Sequence, residues 1–312
     1  MDEEKLDITW DDVPEPRDAE LASWVFWHMC PGIGPRSLRR LLTEFGSARL
    51  AAHAAARGAR RPAFVSCEAW RLASSAPDAV SVGQGEIELA SRCGARVVAL
   101  PSREYPPLLR LIYDPPAVLY IMGKATLADV PWIAVVGSRS ATSYGTGAAR
   151  YLSRQLVAAG AGVVSGMARG VDSAAHRGAM EAGGVTAGVI GAGLAYQMTA
   201  RLACLVREVA QTGCVVSPFN MTYPASRGTF PARNRVISGM AHACLVVEAG
   251  ARSGALVTSA FAEEQNRDVF AVPGDINRPT SAGTNALIYD GARPAGDINR
   301  PTSAGTNALI YD

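Results

Sequence analysis

Lysine is nearly absent from this chain: 312 residues contain two, Lys5 and Lys124. Its 30 basic residues are therefore almost all arginine. GC-rich codon usage alone gives such a bias. So does a body built to grip phosphate, because the planar guanidinium fork pairs with phosphate through two parallel hydrogen bonds. Paired cysteine spacing is also missing. The six cysteines, at 30, 67, 93, 204, 214 and 244, are scattered without a C-x-x-C pair. That argues against a zinc site and a disulfide framework and suits a reducing cytoplasm. No unbroken apolar run is long enough to span a bilayer, and the acidic start does not read as a secretory signal. The fingerprint G-x-G-x-x-G is missing after the first regular strand, where GSRSATSYG stands instead. A plain dehydrogenase is therefore not expected. Neither a metal nor a cofactor is expected.

What is present is enough apolar residue, 48%, for a sizeable core. The net charge of +2 hides an asymmetry: residues 1–20 hold nine acids and two bases, net −7, which leaves +9 on the rest. Residues 1–20 read as an acidic flexible tail, either simply solvated or competing with a polyanion for the basic body. Residues 21–75 read as a small helical module around Trp24 to Trp27. Within it, Pro31-Gly32-Ile33-Gly34-Pro35 followed by Ser37-Leu38-Arg39-Arg40-Leu41-Leu42 resembles a helix-hairpin-helix in a SAM-like all-α unit. Such a turn offers backbone N–H groups to a DNA phosphate, with Arg36, Arg39 and Arg40 beside it. A tight turn between two packed helices has the same pattern.

The main domain is expected over 85–295. Strands at 96–100 and 117–122 flank a proline-rich connector. From Trp132 onward, short runs rich in β-branched residues alternate with helical patterns: strands at 133–136, 162–164, 185–190, 214–216, 243–247 and 269–272. That alternation predicts an α/β fold, a Rossmann-like doubly wound and mostly parallel sheet. The chain closes on a repeat. GDINRPTSAGTNALIYD stands at 274–290 and again at 296–312 without a difference. Both copies cannot fill one slot on the sheet. The first is taken as integral and the second as a duplicated segment, loosely docked.

Ligands bind open α/β sheets at the carboxyl ends of the strands. Two such ends carry an arginine in a Gly/Ser loop: Gly137-Ser138-Arg139, and Ser165-Gly166 with Arg169-Gly170. Each alone is compatible with a structural turn. Together with Arg233, Asn234 and Arg235 and the helix opening at Ser253-Gly254, they point to anion binding. Asp172 and His176 share a helix face. They read as a helix cap orienting its neighbours, or as an acid/base pair without a nucleophile. Phe230, beside the arginines, is a core residue or a platform for an unpaired base. Arg227 lies in a surface loop at the same edge. Glu248 ends a strand, but the G-G-x-G-T loop that a nucleotide hydrolase would need upstream of it is missing.

With these residues assembled, the chain resembles the DprA/Smf family, the DNA-processing protein A of natural transformation. The likeness is carried by YPPLL with DPPAVLYIMG (105–123), VVGSR (135–139), SGMARGVDSAAHRGAM (165–180), FPARNRVISGM (230–240), VVEAGARSGALVTSAFA (246–262) and VFAVPG with SAGTNALIYDGA (269–274, 281–292). It implies a cytoplasmic protein, not an enzyme, that binds single-stranded DNA without sequence preference. It also implies strand protection, loading of the RecA recombinase, a homodimer and no membrane association. The family's DNA pocket maps onto Arg139, Ser165 to Gly170, Arg227 and Phe230, with Arg233 and Arg235 following. Asp172, His176 and Glu248 are supporting residues in this reading. Three departures stand out: Gly193-Leu194 runs on to Met198-Thr199 without the usual Tyr-Pro, Ser217-Pro218 replaces Ser-Glu, and the duplicated segment stands where many members carry a winged helix. The rival readings are a nucleotide phosphoribohydrolase-like enzyme centred on Glu248 and an acid-tailed adaptor that binds only protein.

Overall fold

The computed structural model describes residues 9–295, apart from 11, 76, 77, 126, 128 and 129. A helical bundle comes first: α1 (Asp18–Met29), α2 (Pro35–Phe45), α3 (Ala48–Ala56), α4 (Cys67–Ser75) and α5 (Ala79–Arg92). The sheet domain follows as β1 (Ala95–Ala99), α6 (Pro107–Arg110), β2 (Val118–Gly123), β3 (Trp132–Val136), α7 (Ser143–Ala158), β4 (Gly162–Gly166), α8 (Val171–Glu181) and β5 (Thr186–Val189). It continues as α9 (Ala200–Thr212), β6 (Cys214–Ser217), α10 (Thr229–Met240), β7 (Ala243–Val246), α11 (Ala255–Glu264), β8 (Asp268–Ala271), α12 (Ala282–Tyr289) and β9 (Arg293–Pro294).

The strand order is β1-β2-β6-β5-β4-β3-β7-β8-β9. β1 and β2 join antiparallel; every pairing from β6 to β9 is parallel. β3 is central. The chain winds from it through β4 and β5 to β6, then returns to place β7 on its other side. The winding direction therefore reverses between β3 and β7, and a doubly wound sheet opens its binding crevice at such a reversal. The parallel strands read as unbroken apolar runs because helices cover both faces. Alternation along β3 shows this: Ile133 and Val135 pack with α7 and α8, while Trp132, Ala134 and Val136 join the larger core on the opposite face.

The helical unit differs from its expected bounds. The tail expected over 1–20 is anchored at its far end, because α1 starts at Asp18 and Glu20 is structural: its carboxylate accepts from Ala48 N (2.7 Å), Arg49 N (3.1 Å) and Trp24 Nε1 (3.1 Å), holding the N-terminus of α3. The Trp10 ring centre lies 5.9 Å from that of Trp24, and Glu15 accepts from the Ser102 hydroxyl at 2.6 Å. Residues 1–8 lie outside the described residues. At the other end the bundle continues past 75 through α5. Gly83 lets α5 lie directly on α1, since a Cβ there would overlap the Ala22 carbonyl. The short β9, which carries little sequence signal, extends the sheet edge. The duplicated segment 296–312 lies outside the described residues.

Candidate nucleic-acid interface

Three loops are tied together at the β3/β7 reversal. Ser138 N donates to Glu248 O at 2.7 Å, and Val171 N donates to Ser138 O at 3.2 Å. The close approach requires glycine. Gly170 has φ +82°, and a Cβ on it would run into the Ser138 carbonyl; a Cβ on Gly137 would stand 2.6 Å from Val171 Cγ2.

Beneath these loops lies a layer of buried polar groups. Arg233 is 5% exposed and donates through Nη1 to Val189 O at 2.8 Å; its Nε has no acceptor. Asp172, 7% exposed, accepts from Ala168 N at 3.3 Å. Arg233 and Asp172 meet over Gly166, where any Cβ would strike both. Burial pushes the Asp172 carboxyl up to about 6, against the opposing pull of the Arg233 and Arg139 charges and the Ala168 N–H. Burial likewise lowers the Arg233 pKa, and Asp172 partly restores it. The Ser165 hydroxyl, fully buried, donates to Val135 O at 2.6 Å and lies beside the Asp172 carboxyl beneath the cavity.

His176 is fully buried, with Nε2 2.9 Å from Gly166 O and Nδ1 2.7 Å from the Thr186 hydroxyl. A carbonyl only accepts, so Nε2 carries the proton, and the single proton of the Thr186 hydroxyl is shared between two acceptors, Nδ1 and Val163 O at 2.9 Å. Burial holds this imidazole at about 4, hence neutral. Asp172 is not the cap of α8. Gly170 occupies that position, and Asp172, in the first turn, turns back to bond the preceding loop. It makes no hydrogen bond with His176; each residue braces the 165–170 loop by a separate route. Glu248 is also a brace. Its carboxylate accepts from Thr142 N (3.1 and 3.3 Å) and from the Thr142 hydroxyl (2.5 Å), while Thr142 caps α7 by accepting from Gly145 N.

Above this floor opens a cavity of about 690 Å³, a size typical of ligand sites. Gly137, Ser138 and Arg139 form one side; Arg227, Phe230, Arg233 and Asn234 another; Arg252, Ser253 and Gly254 a third. Arg139 is exposed, and its guanidinium lies 4.6 Å from the centre of the Phe230 ring, within cation–π range. Phe230 is half-buried and lines the cavity without joining either apolar core. Asn234 Nδ2 donates to Gly254 O at 3.3 Å, joining α10 to the start of α11. Four arginines line the cavity against one carboxyl, Asp172.

Two expected arginines are elsewhere. Arg235 lies two positions after Arg233, which on a helix turns it to the far side. It pairs with Asp114 and lines a separate cleft of about 520 Å³ between bundle and sheet. Arg169 faces away from the main cavity into a space of about 600 Å³ shared with Arg177 and Arg201. Arg252, Ser140 and Thr280 line the main cavity and were missed from sequence. For Arg252 a signal was available, its place next to Ser253-Gly254 in the loop before α11.

Arginines, glycine-walled loops and a helix start surround one crevice of a doubly wound α/β protein. The family model for DNA recombination-mediator protein A matches residues 96–310, and the chain belongs to that family. It is 32% identical over 286 residues to protein Smf of Synechocystis, covering 88% of this chain and 70% of the relative. It is 41% identical over 199 residues to protein Smf of Escherichia coli, covering 63% and 53%. The chain thus spans 53% to 70% of these relatives' lengths. Among solved structures, DNA processing protein A of Streptococcus pneumoniae superposes with a TM-score of 0.73 at 28% identity, over 97% of this chain and 98% of that one. The Helicobacter pylori protein, whose structure is described for its single-stranded DNA binding mode, superposes with a TM-score of 0.58 at 28% identity, over 65% and 90%. No described helix is long and apolar enough to cross a membrane.

Proposed function

We propose that this protein binds single-stranded DNA without sequence preference in the β3/β7 cavity, and that it does so as a recombination mediator rather than as a catalyst. One observation carries the reading: Arg139 and Phe230 stand face to face at the mouth of a cavity lined by four arginines. An aromatic platform beside cations suits a polymer of stacked bases and phosphates whatever its sequence. The single-stranded DNA binding described for the Helicobacter relative supports the same assignment. Strand protection, loading of RecA, a homodimer and a cytoplasmic setting complete the proposal on the strength of family membership. The described cysteines are all free thiols, in keeping with a reducing compartment.

No observation favours the hydrolase reading. The carboxylate it would use, Glu248, is 3% exposed and bonded to Thr142. The test is fluorescence anisotropy of a labelled oligo-dT strand with wild type and Arg139→Ala at two salt concentrations. The expected result is tight binding that weakens in the variant and in salt. Binding that ignores both changes would overturn the assignment.

A further inference from the structure

The hairpin between α1 and α2 has a second cavity beside it. Gly32, at φ +78°, turns the chain, and Pro35 opens α2 with no side-chain cap ahead of it. Arg36 and Arg39 lie three apart on one helix face. The Arg36 guanidinium lies 3.9 Å from the centre of the Tyr113 ring, and that of Arg39 lies 5.7 Å from the Trp10 ring. With Pro35, Ile112 and Pro115 they enclose about 120 Å³, several waters in size. No carboxylate lines this space among the described residues. Arg39 Nε is buried without an acceptor. Two neighbouring cations and one unanswered buried donor are unfavourable as they stand. Burial and the Arg36 charge both act to lower the Arg39 pKa. An anion between the guanidinia removes both penalties.

We propose that this cavity is a second phosphate site, one that holds the backbone of a single DNA strand extending beyond the β3/β7 cavity. The identity of the ligand rests on the DNA reading above; the site itself rests on its own geometry. DNA is favoured over a small anion for two reasons. Residues 21–75 carry eight arginines against two glutamates, a field suited to a polyanion. Tyr113, 71% exposed, offers its outer face to an unpaired base next to the phosphate grip. A route between the two cavities exists. Pro35 and Ile112 line both the small cavity and the cleft that holds Arg235, and α10 carries Arg235 on its cleft side and Arg233 on the main cavity side.

The experiment compares oligo-dT strands of about six and about 40 nucleotides, the first no longer than a single compact site. Each is titrated against wild type and an Arg36→Gln/Arg39→Gln variant at several salt concentrations. The variant should hold the short strand as wild type does. It should bind the long one roughly tenfold more weakly, with the slope of log affinity against log salt shallower by about 0.7, one phosphate contact's worth. Photo-crosslinking of a bromodeoxyuridine strand gives an independent readout: the long strand should mark Tyr113 or Trp10 in wild type and the short one should not. Unchanged long-strand affinity, slope and crosslinks in the variant overturn the second site alone. Equal loss on both strands also overturns it, because the hairpin arginines then merely support the core. Failure of wild type to bind either strand overturns the DNA reading and this inference together, while loss only in Arg139→Ala leaves the DNA reading standing.

Discussion

The two cationic cavities are built from opposite materials. The β3/β7 cavity is walled by backbone, with glycines at 137, 166 and 170 drawing three loops together over an interior arginine and an interior carboxyl. The hairpin cavity is walled by side chains, with two guanidinia laid on Tyr113 and Trp10 at the surface of the bundle. In the first, the groups that shape the site also hold the fold, so binding and stability are coupled. In the second they are separable. Desolvating a charge in the interior requires partners all round it, whereas Arg36, exposed and resting on the exposed Tyr113 ring, keeps its water.

The largest effect that tests this contrast is on stability. Arg233→Ala removes the cation over Gly166 and leaves Val189 O and Asp172 without it. The expected loss is about 3 kcal/mol in urea unfolding. Arg36→Ala should stay within about 0.5 kcal/mol of wild type, as exposed sites do. Similar losses for the two would break the comparison. Next in size is binding. Arg139→Ala/Phe230→Ala removes the outer cation and its ring without touching the buried layer. Short single strands should bind roughly 100-fold more weakly while the melting temperature stays near that of wild type. A large fall in melting temperature would place Phe230 in the core and not at the cavity mouth.

Much of the sheet was legible because parallel strands buried on both faces declare themselves as apolar runs. β3 and β7 are such runs, and their ends located the cavity. What was not legible depends on partners distant in sequence. Glu248 gives no hint that Thr142, 106 positions earlier, takes its carboxylate. Glu20 looks like one more acid in an acidic tail until α3, 28 positions on, presents its N–H groups to it. Asp172 and His176 fit a pair by spacing, but Gly166 and Thr186 compete successfully for the imidazole. Arg233 and Arg235 were grouped by proximity in sequence, although the helical period already sends them to opposite sides.

A smaller effect concerns pH. A carboxyl raised from the usual carboxylate range to about 6 stabilises the fold fully below the unfolded value and loses that contribution as pH rises through about 6. In the main cavity the same protonation removes the one negative charge from the floor. Affinity for a short strand should therefore rise several-fold from pH 7 to pH 5. Asp172→Asn should bind at pH 7 as wild type does at pH 5, with a flat profile. His176, held at about 4, stays neutral throughout this window and does not contribute. A pH dependence that survives in Asp172→Asn would assign the titration to another group.

The smallest expected effect is the sharpest test of the boundary between the two regions. Arg235 pairs with Asp114 at partial exposure, 26% and 40% for the two side chains, so its loss should cost at most about 1 kcal/mol. It lines the cleft between bundle and sheet, so Arg235→Ala should leave short-strand affinity within about twofold of wild type. Long-strand affinity should fall modestly, because the cleft lies on the route to the hairpin cavity. A short-strand loss as large as that of Arg139→Ala would mean that α10 presents both arginines to one strand, and that the main cavity and the cleft act as a single site.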